Sequence, residues 1–173
     1  MNRDPGPTDE QVAELLSSAL EPVSPGADAK ARLFAAIDAG AKYAPFCADL
    51  AERFDLSRER MLELLSCIDE PGAWTRGIHP IQGFLHFRPG PRVESLRGGF
   101  TRMESGAAFP LHRHRDREVT CVLEGALRDG DGNRYGPGEA IDMPPGSQHT
   151  LCVDGEGPAL LALLHGGIEM IGQ

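Results

Sequence analysis

Three histidines and one glutamate fall where they can share a metal ion. His112 and His114 lie two residues apart. On a strand, side chains alternate with period two, so both imidazoles project to one face. Glu118 keeps the same parity, but Arg113, Arg115, Asp116 and Arg117 make the intervening segment polar enough that a turn is expected. Glu118 then enters from the neighbouring strand. Further along, Pro144-Pro145-Gly146 is a turn that ends one strand and delivers His149 at the start of the next. Three imidazole nitrogens and one carboxylate oxygen, with coordination positions left for water or substrate, suit one divalent ion: Zn, Fe, Mn, Ni or Cu. Ligand type alone does not choose among them.

The elements around these residues read as antiparallel β-structure from about Trp74 onward. Short apolar runs, Gly83 to Phe87, Val119 to Leu123 and Ala159 to Leu164, are separated by clusters of Gly, Pro, Asp and Asn. Arg128 to Arg134 reads as a hairpin turn, and Tyr135-Gly136-Pro137-Gly138 as a second turn before a strand from Glu139 to Met143. By strand parity Thr120 and Val122 share the side of Glu118, with Phe84, Phe109 and Met143 as further pocket walls. Val119, Cys121 and Leu123 face the other way, and that apolar outer face needs a cover. The helical half or a second copy of the chain can supply it, so a homodimer is expected. His79, His86 and His165 are read as structural or exposed, with His86 a candidate to hydrogen-bond near the pocket. The three arginines between His112 and Glu118 read as a solvated turn.

Before residue 72 the pattern is helical. Thr8 and Gln11 can form a capping box ahead of Val12, Leu15, Leu16, Ala19 and Leu20, and Ser24-Pro25 starts a second helix carrying Leu33, Phe34 and Ile37. A third helix is expected from Pro45 to Phe54. Ser57 caps a fourth, in which Met61, Leu62, Leu64, Leu65 and Ile68 face inward until Pro71-Gly72. The fold class is therefore α+β, with a helical domain over 1–72 and a metal-binding β-domain over 73–173. The rhythm around Leu50 to Ser57 resembles a helix-turn-helix, but seven acidic residues face three arginines between Asp49 and Glu70, and groove binding needs a basic face.

Composition sets the outer limits. The 173 residues carry a net charge of -9, which repels phosphate backbones and anionic lipid surfaces, so no nucleic acid and no membrane partner is expected. No apolar run is long enough to span a bilayer, and the expected location is cytoplasmic. Cys47, Cys67, Cys121 and Cys152 form no C-x-x-C pair and are read as buried thiols.

The two ligand-bearing stretches resemble the paired motifs of the cupin family. Gly106 to Gly125 fits G-x5-H-x-H-x3-E-x6-G, and Gly138 to His149 fits G-x5-P-x-G-x2-H. The resemblance covers about residues 76 to 167 and implies a jelly-roll β-barrel with the metal inside its mouth, commonly in a dimer. The family's second motif ends in asparagine four positions after the last histidine, where this chain has Val153. Leu15 to Ile37, and His112 to His149 with Arg128-Asp129-Gly130, look more narrowly like the linker and cupin part of ChrR-like anti-sigma factors. That resemblance implies a sensor or regulatory module with a protein partner engaged by the helical half. The zinc signature of that family's N-terminal domain, H-x3-C-x2-C, is absent. The other reading is a metal-dependent dioxygenase with a small-molecule ligand in the barrel. The sequence marks no base, nucleophile or cofactor loop for it, and no catalytic residue is assigned.

Overall fold

The computed structural model describes residues 42–172, together with Thr8 and Gly26. The first two expected helices lie outside the described residues. After a 3-10 turn at Ala44–Phe46 come α1 (Cys47–Arg53) and α2 (Arg58–Ser66). The side chain of Ser57 accepts the Arg60 amide at 3.1 Å, supplying the cap that its hydroxyl and position foretold. Met61, Leu64, Leu65 and Ile68 are buried at helical spacing. Leu62, expected inside, is 36% exposed because it sits one residue off that stripe. The chain leaves α2 through 3-10 turns at Cys67–Asp69 and Pro71–Ala73.

Eleven strands follow: β1 (Thr75–Arg76), β2 (Ile81–Phe87), β3 (Arg97–Met103), β4 (Ala108–His114), β5 (Glu118–Glu124), β6 (Leu127–Asp129), β7 (Arg134–Tyr135), β8 (Ala140–Met143), β9 (Gln148–Val153), β10 (Ala159–His165) and β11 (Ile168–Met170). They form two antiparallel sheets. One has the order β1-β2-β3-β10-β5-β8, the other β11-β4-β9-β6-β7. The described residues are thus mostly β, with two short helices ahead of the sheets. Strand β3 is the element the sequence reading missed, since Gly98-Gly99 gives no apolar alternation. Those glycines make room for β2: a Cβ on Gly98 would come within 2.9 Å of the Phe87 ring. Four glycines at fixed positions of the two histidine-bearing stretches, Gly106, Gly125, Gly138 and Gly146, all have positive φ. At Gly125 a Cβ would also meet the Pro158 carbonyl oxygen at 2.6 Å, so the close approach of β5 and β10 at that end requires glycine.

Strand parity divides the interior into two cores. Met103, Val122, Ile141, Leu151, Val153 and Leu161 pack together between the two sheets. On the other face of the first sheet, Phe100, Val119, Cys121, Leu123, Ala162 and Leu164 pack against Leu50, Phe54, Met61, Leu65 and Ile68 of the helical segment. The apolar outer face of β5 is therefore covered by α1 and α2, and a second copy of the chain is not needed to bury it. A clasp holds the helices there: the Phe54 carbonyl accepts the Gly90 amide at 2.9 Å, and the Asp55 carboxylate accepts from Arg92 N and Nε at 2.8 and 2.6 Å. The four cysteines are free thiols. Cys47 and Cys121 are buried as expected, whereas Cys67 and Cys152 are only half-buried. Burial pushes the Cys121 thiol up to about 11, which leaves it unreactive at neutral pH.

Candidate metal centre

Strand β4 carries His112 and His114 with their side chains inward, and β9 pairs with it so that His149 stands directly across from His112. Glu118 opens β5, but β5 belongs to the other sheet, so the carboxylate comes from across the interior and not from the strand beside His114. Two residues on one strand, one on its partner and one from the facing sheet converge. All four are buried, and one ligand atom from each lies within 4.8 Å of the others.

The contacts within the group are those of lone pairs crowded on a common point. His149 Nε2 is 3.1 Å from His112 Nε2, and His149 Nε2 is 4.0 Å from Glu118 Oε1. His114 Nδ1 lies 3.4 Å from Glu118 Oε2 but without hydrogen-bond geometry, so both His114 nitrogens and His149 Nδ1 are buried polar atoms with no partner. An unsatisfied buried polar atom costs on the order of 1–3 kcal/mol, and an ion in the cluster would satisfy one nitrogen of His114. His112 is oriented from behind: its Nδ1 is 2.9 Å from the Pro110 carbonyl, which can only accept, so Nδ1 carries the proton and Nε2 presents its lone pair to the cluster. Phe109 packs edge-on against the same ring, with centroids 4.9 Å apart. Thr120 Oγ1 donates to Glu118 Oε1 at 3.2 Å. This donor set, its burial and its unpaired atoms fit a divalent ion and suggest that one is held there, without indicating which.

Burial favours the neutral form of His112 and His149, the form that binds metal. Burial, and then neighbouring His112, push His149 down to about 4, and burial lowers His112 as well. Burial opposes ionisation of Glu118, yet the surrounding His114, His112 and His149 hold its carboxyl below the usual range. The unfolded chain protonates its histidines near 6.5, ahead of the folded one. The stability these two buried rings contribute is therefore complete above about 6.5 and is lost as pH falls towards 4. Metal-free protein is expected to show a Tm that declines from pH 7 to pH 4.5, and His149→Gln a shallower decline. A flat Tm over that window would mean the rings are not buried as described.

Other residues singled out in the sequence separate cleanly. Phe84, Phe109 and Thr120 line a cavity of about 140 Å³ between the sheets, which also reaches His112 and Glu118. Val122 is fully buried in the core between the sheets, and Met143 lines a more open, acidic cavity shared with His149, Asp129 and Asp142. His86 is exposed and stacks on Phe84, while His165 lines that cavity in its place. Extending the parity of Leu161 and Leu163 by one step would have found it. Thr101, also in the cavity wall, lies on the missed strand β3 and carried no sequence signal. Arg113, Arg115 and Arg117 are exposed, and Arg117 Nε donates to Asp142 at 2.9 Å. Val153, at the position of the expected asparagine, is buried in the core between the sheets.

The ChrR cupin-like domain family matches residues 85–168. Among solved structures, the chain is similar to the complex of Rhodobacter sphaeroides SigE with the anti-sigma ChrR, at 19% identity over 89% of this chain and 74% of that one, with a TM-score of 0.52. It is also similar to an acetylacetone dioxygenase from Acinetobacter johnsonii, at 10% identity over 60% of this chain and 75% of that one, with a TM-score of 0.50. A Ralstonia eutropha protein of unknown function with a cupin-like fold matches at 22% identity, covering 45% of this chain, with a TM-score of 0.42. The chain spans about half of that relative, 51% of its length. No curated protein matches. These likenesses concern the fold. Among the described residues, no helix is long and apolar enough to cross a membrane.

Proposed function

Because this chain carries a cupin domain similar to that of ChrR, we propose that it is a metal-binding sensor module, its sheets closing as a jelly-roll barrel around one divalent ion held by His112, His114, Glu118 and His149. One observation carries the regulatory part of this reading. Strand β5 places Glu118 and Thr120 on the metal side, while its alternate residues Val119, Cys121 and Leu123 are packed into the core that contains α1 and α2. A change in how Glu118 is held must either move that strand or be absorbed by it, and a close-packed core transmits small shifts. Helices α1 and α2 would then present the change to a protein partner.

The test is hydrogen exchange on metal-loaded and metal-free protein. Loss of metal is expected to speed exchange of the amides of α1 and α2 several-fold, in parallel with those of β5, and His114→Ala is expected to reproduce the metal-free pattern. Changes confined to β4, β5 and β9 would reject the coupling.

The largely apolar cavity beside His112 and Glu118 favours a second reading, a metal-dependent dioxygenase acting on a small molecule. A divalent ion at this site would supply Lewis acidity, or a redox centre for dioxygen chemistry. The chain's own residues would exclude water through the apolar wall and orient the ligand set through Pro110 and Thr120. Oxygen uptake by Fe(II)-loaded protein with acetylacetone separates the two: turnover lost in His114→Ala supports the enzyme, and its absence favours the sensor.

A further inference from the structure

The cavity that adjoins the metal ligands has a chemical character of its own. Its volume is about 140 Å³. That is close to the roughly 150 Å³ of an apolar protein cavity able to hold benzene. Its wall is largely hydrocarbon, with Phe84, Met103, Leu161 and Leu163 contributing from β2, β3 and β10. Among the described residues no Lys or Arg lines it, so nothing in the wall itself would neutralise a carboxylate or phosphate. Desolvating such an anion without a partner is costly.

The polar groups in the wall are few, and apart from His165 and Thr101 they are engaged or belong to the metal site. Thr120 is bonded to Glu118, and His112 to Pro110. His165 lies at the end of β10, opposite Glu118 in the strand register. Thr101, unlike His165, is fully buried. Its side chain lines the cavity, the residue is 2% exposed, and its Oγ1 has no hydrogen-bond partner. A buried hydroxyl that lines an apolar cavity without a partner gains from any ligand oxygen that reaches it.

We infer that this cavity is a binding chamber for a small uncharged molecule of about six to eight non-hydrogen atoms, apolar except for one carbonyl or hydroxyl oxygen that pairs with Thr101. The inference deepens the metal-centre reading and rests on it for the ligand's place beside His112 and Glu118. Thr101 is a specificity-determining residue here: it decides between a hydrocarbon and its oxygenated analogue, whereas the wall decides size and offers an anion no partner of its own.

The experiment follows the methyl NMR signals of Ile81, Leu161, Leu163 and Ile168 during titration with cyclohexanone, benzene and benzoate. It is run on metal-free and on Zn(II)-loaded protein, with metal content measured on the same samples. Cyclohexanone and benzene are expected to shift these methyls in both forms, and benzoate to leave the metal-free protein unchanged. Thr101→Val, which keeps shape and removes the hydroxyl, should weaken cyclohexanone about tenfold and leave benzene unaltered. Leu161→Phe should reduce both. No shift of these methyls by either neutral probe overturns the inference, as does equal cyclohexanone affinity in wild type and Thr101→Val, or benzoate binding to metal-free protein as tightly as cyclohexanone. Metal bound with no ketone bound sinks the chamber alone, whereas ketone bound with no metal bound sinks the metal reading alone.

Discussion

Purified protein is expected to carry about one equivalent of divalent metal, and the double variant His112→Ala/His149→Ala less than a tenth of that. The two rings face each other across β4 and β9 with their Nε2 atoms 3.1 Å apart, so removing both deletes two of four donors from one side of the site. The remaining His114 and Glu118 cannot enclose an ion alone. Elemental analysis after extensive dialysis measures it directly. Binding should also stabilise the fold. At a metal concentration about a thousandfold above the dissociation constant the gain approaches 4 kcal/mol, so Tm should rise with added metal in the wild type and stay fixed in the variant. Absence of metal in both proteins, with no response to added Zn, Mn, Fe, Ni or Cu, would remove the basis for a metal centre and leave a two-sheet binding domain.

The second large effect concerns the joint between helices and sheet. Phe54 is fully buried at the end of α1, its ring centroid 5.3 Å from that of Phe87, which in turn lies 5.2 Å from Phe100. These three rings connect the α1–α2 turn with β2 and β3. Phe54→Ala is expected to destabilise the protein by about 3–5 kcal/mol, the range for emptying a large aromatic site in a core that cannot collapse around it. That is a large share of the roughly 5–15 kcal/mol typical of a folded domain. Urea unfolding followed by far-UV circular dichroism and by Trp74 fluorescence should show one coincident transition moved to lower urea. A loss below about 1 kcal/mol, or helix signal melting ahead of Trp74, would mean that α1 and α2 are an independent layer and would also weaken the proposed coupling between site and helices.

Both predictions rest on features of very different visibility in the sequence. All four candidate ligands were legible, because a two-residue spacing on a strand and a Pro-Gly turn before a histidine are local facts with local geometric consequences. The helix boundaries near Ser57 were legible for the same reason: a hydroxyl before an apolar stripe is a cap wherever the stripe is buried. The facing of Val119, Cys121 and Leu123 away from the ligands also followed from parity alone.

What parity could not supply is which sheet a strand joins. Glu118 was expected beside His114 and comes instead from the facing sheet, since the turn over Arg115 to Arg117 carries the chain across the interior. The cover over the outer face could equally have been α1 and α2 or another subunit, and only the packing of Leu50, Phe54 and Met61 against Phe100 and Val119 decided it. Strand β3 stayed hidden because its glycines answer to Phe87 and Leu85 on β2, contacts that have no signature along the chain. Thr101 and His165 reach the cavity through that strand and its neighbour β10, so the character of the chamber, unlike the choice of candidate ligands, belongs to the tertiary structure. The candidate ligands are marked by residue type and short-range period; the space beside them is set by which distant strands become neighbours.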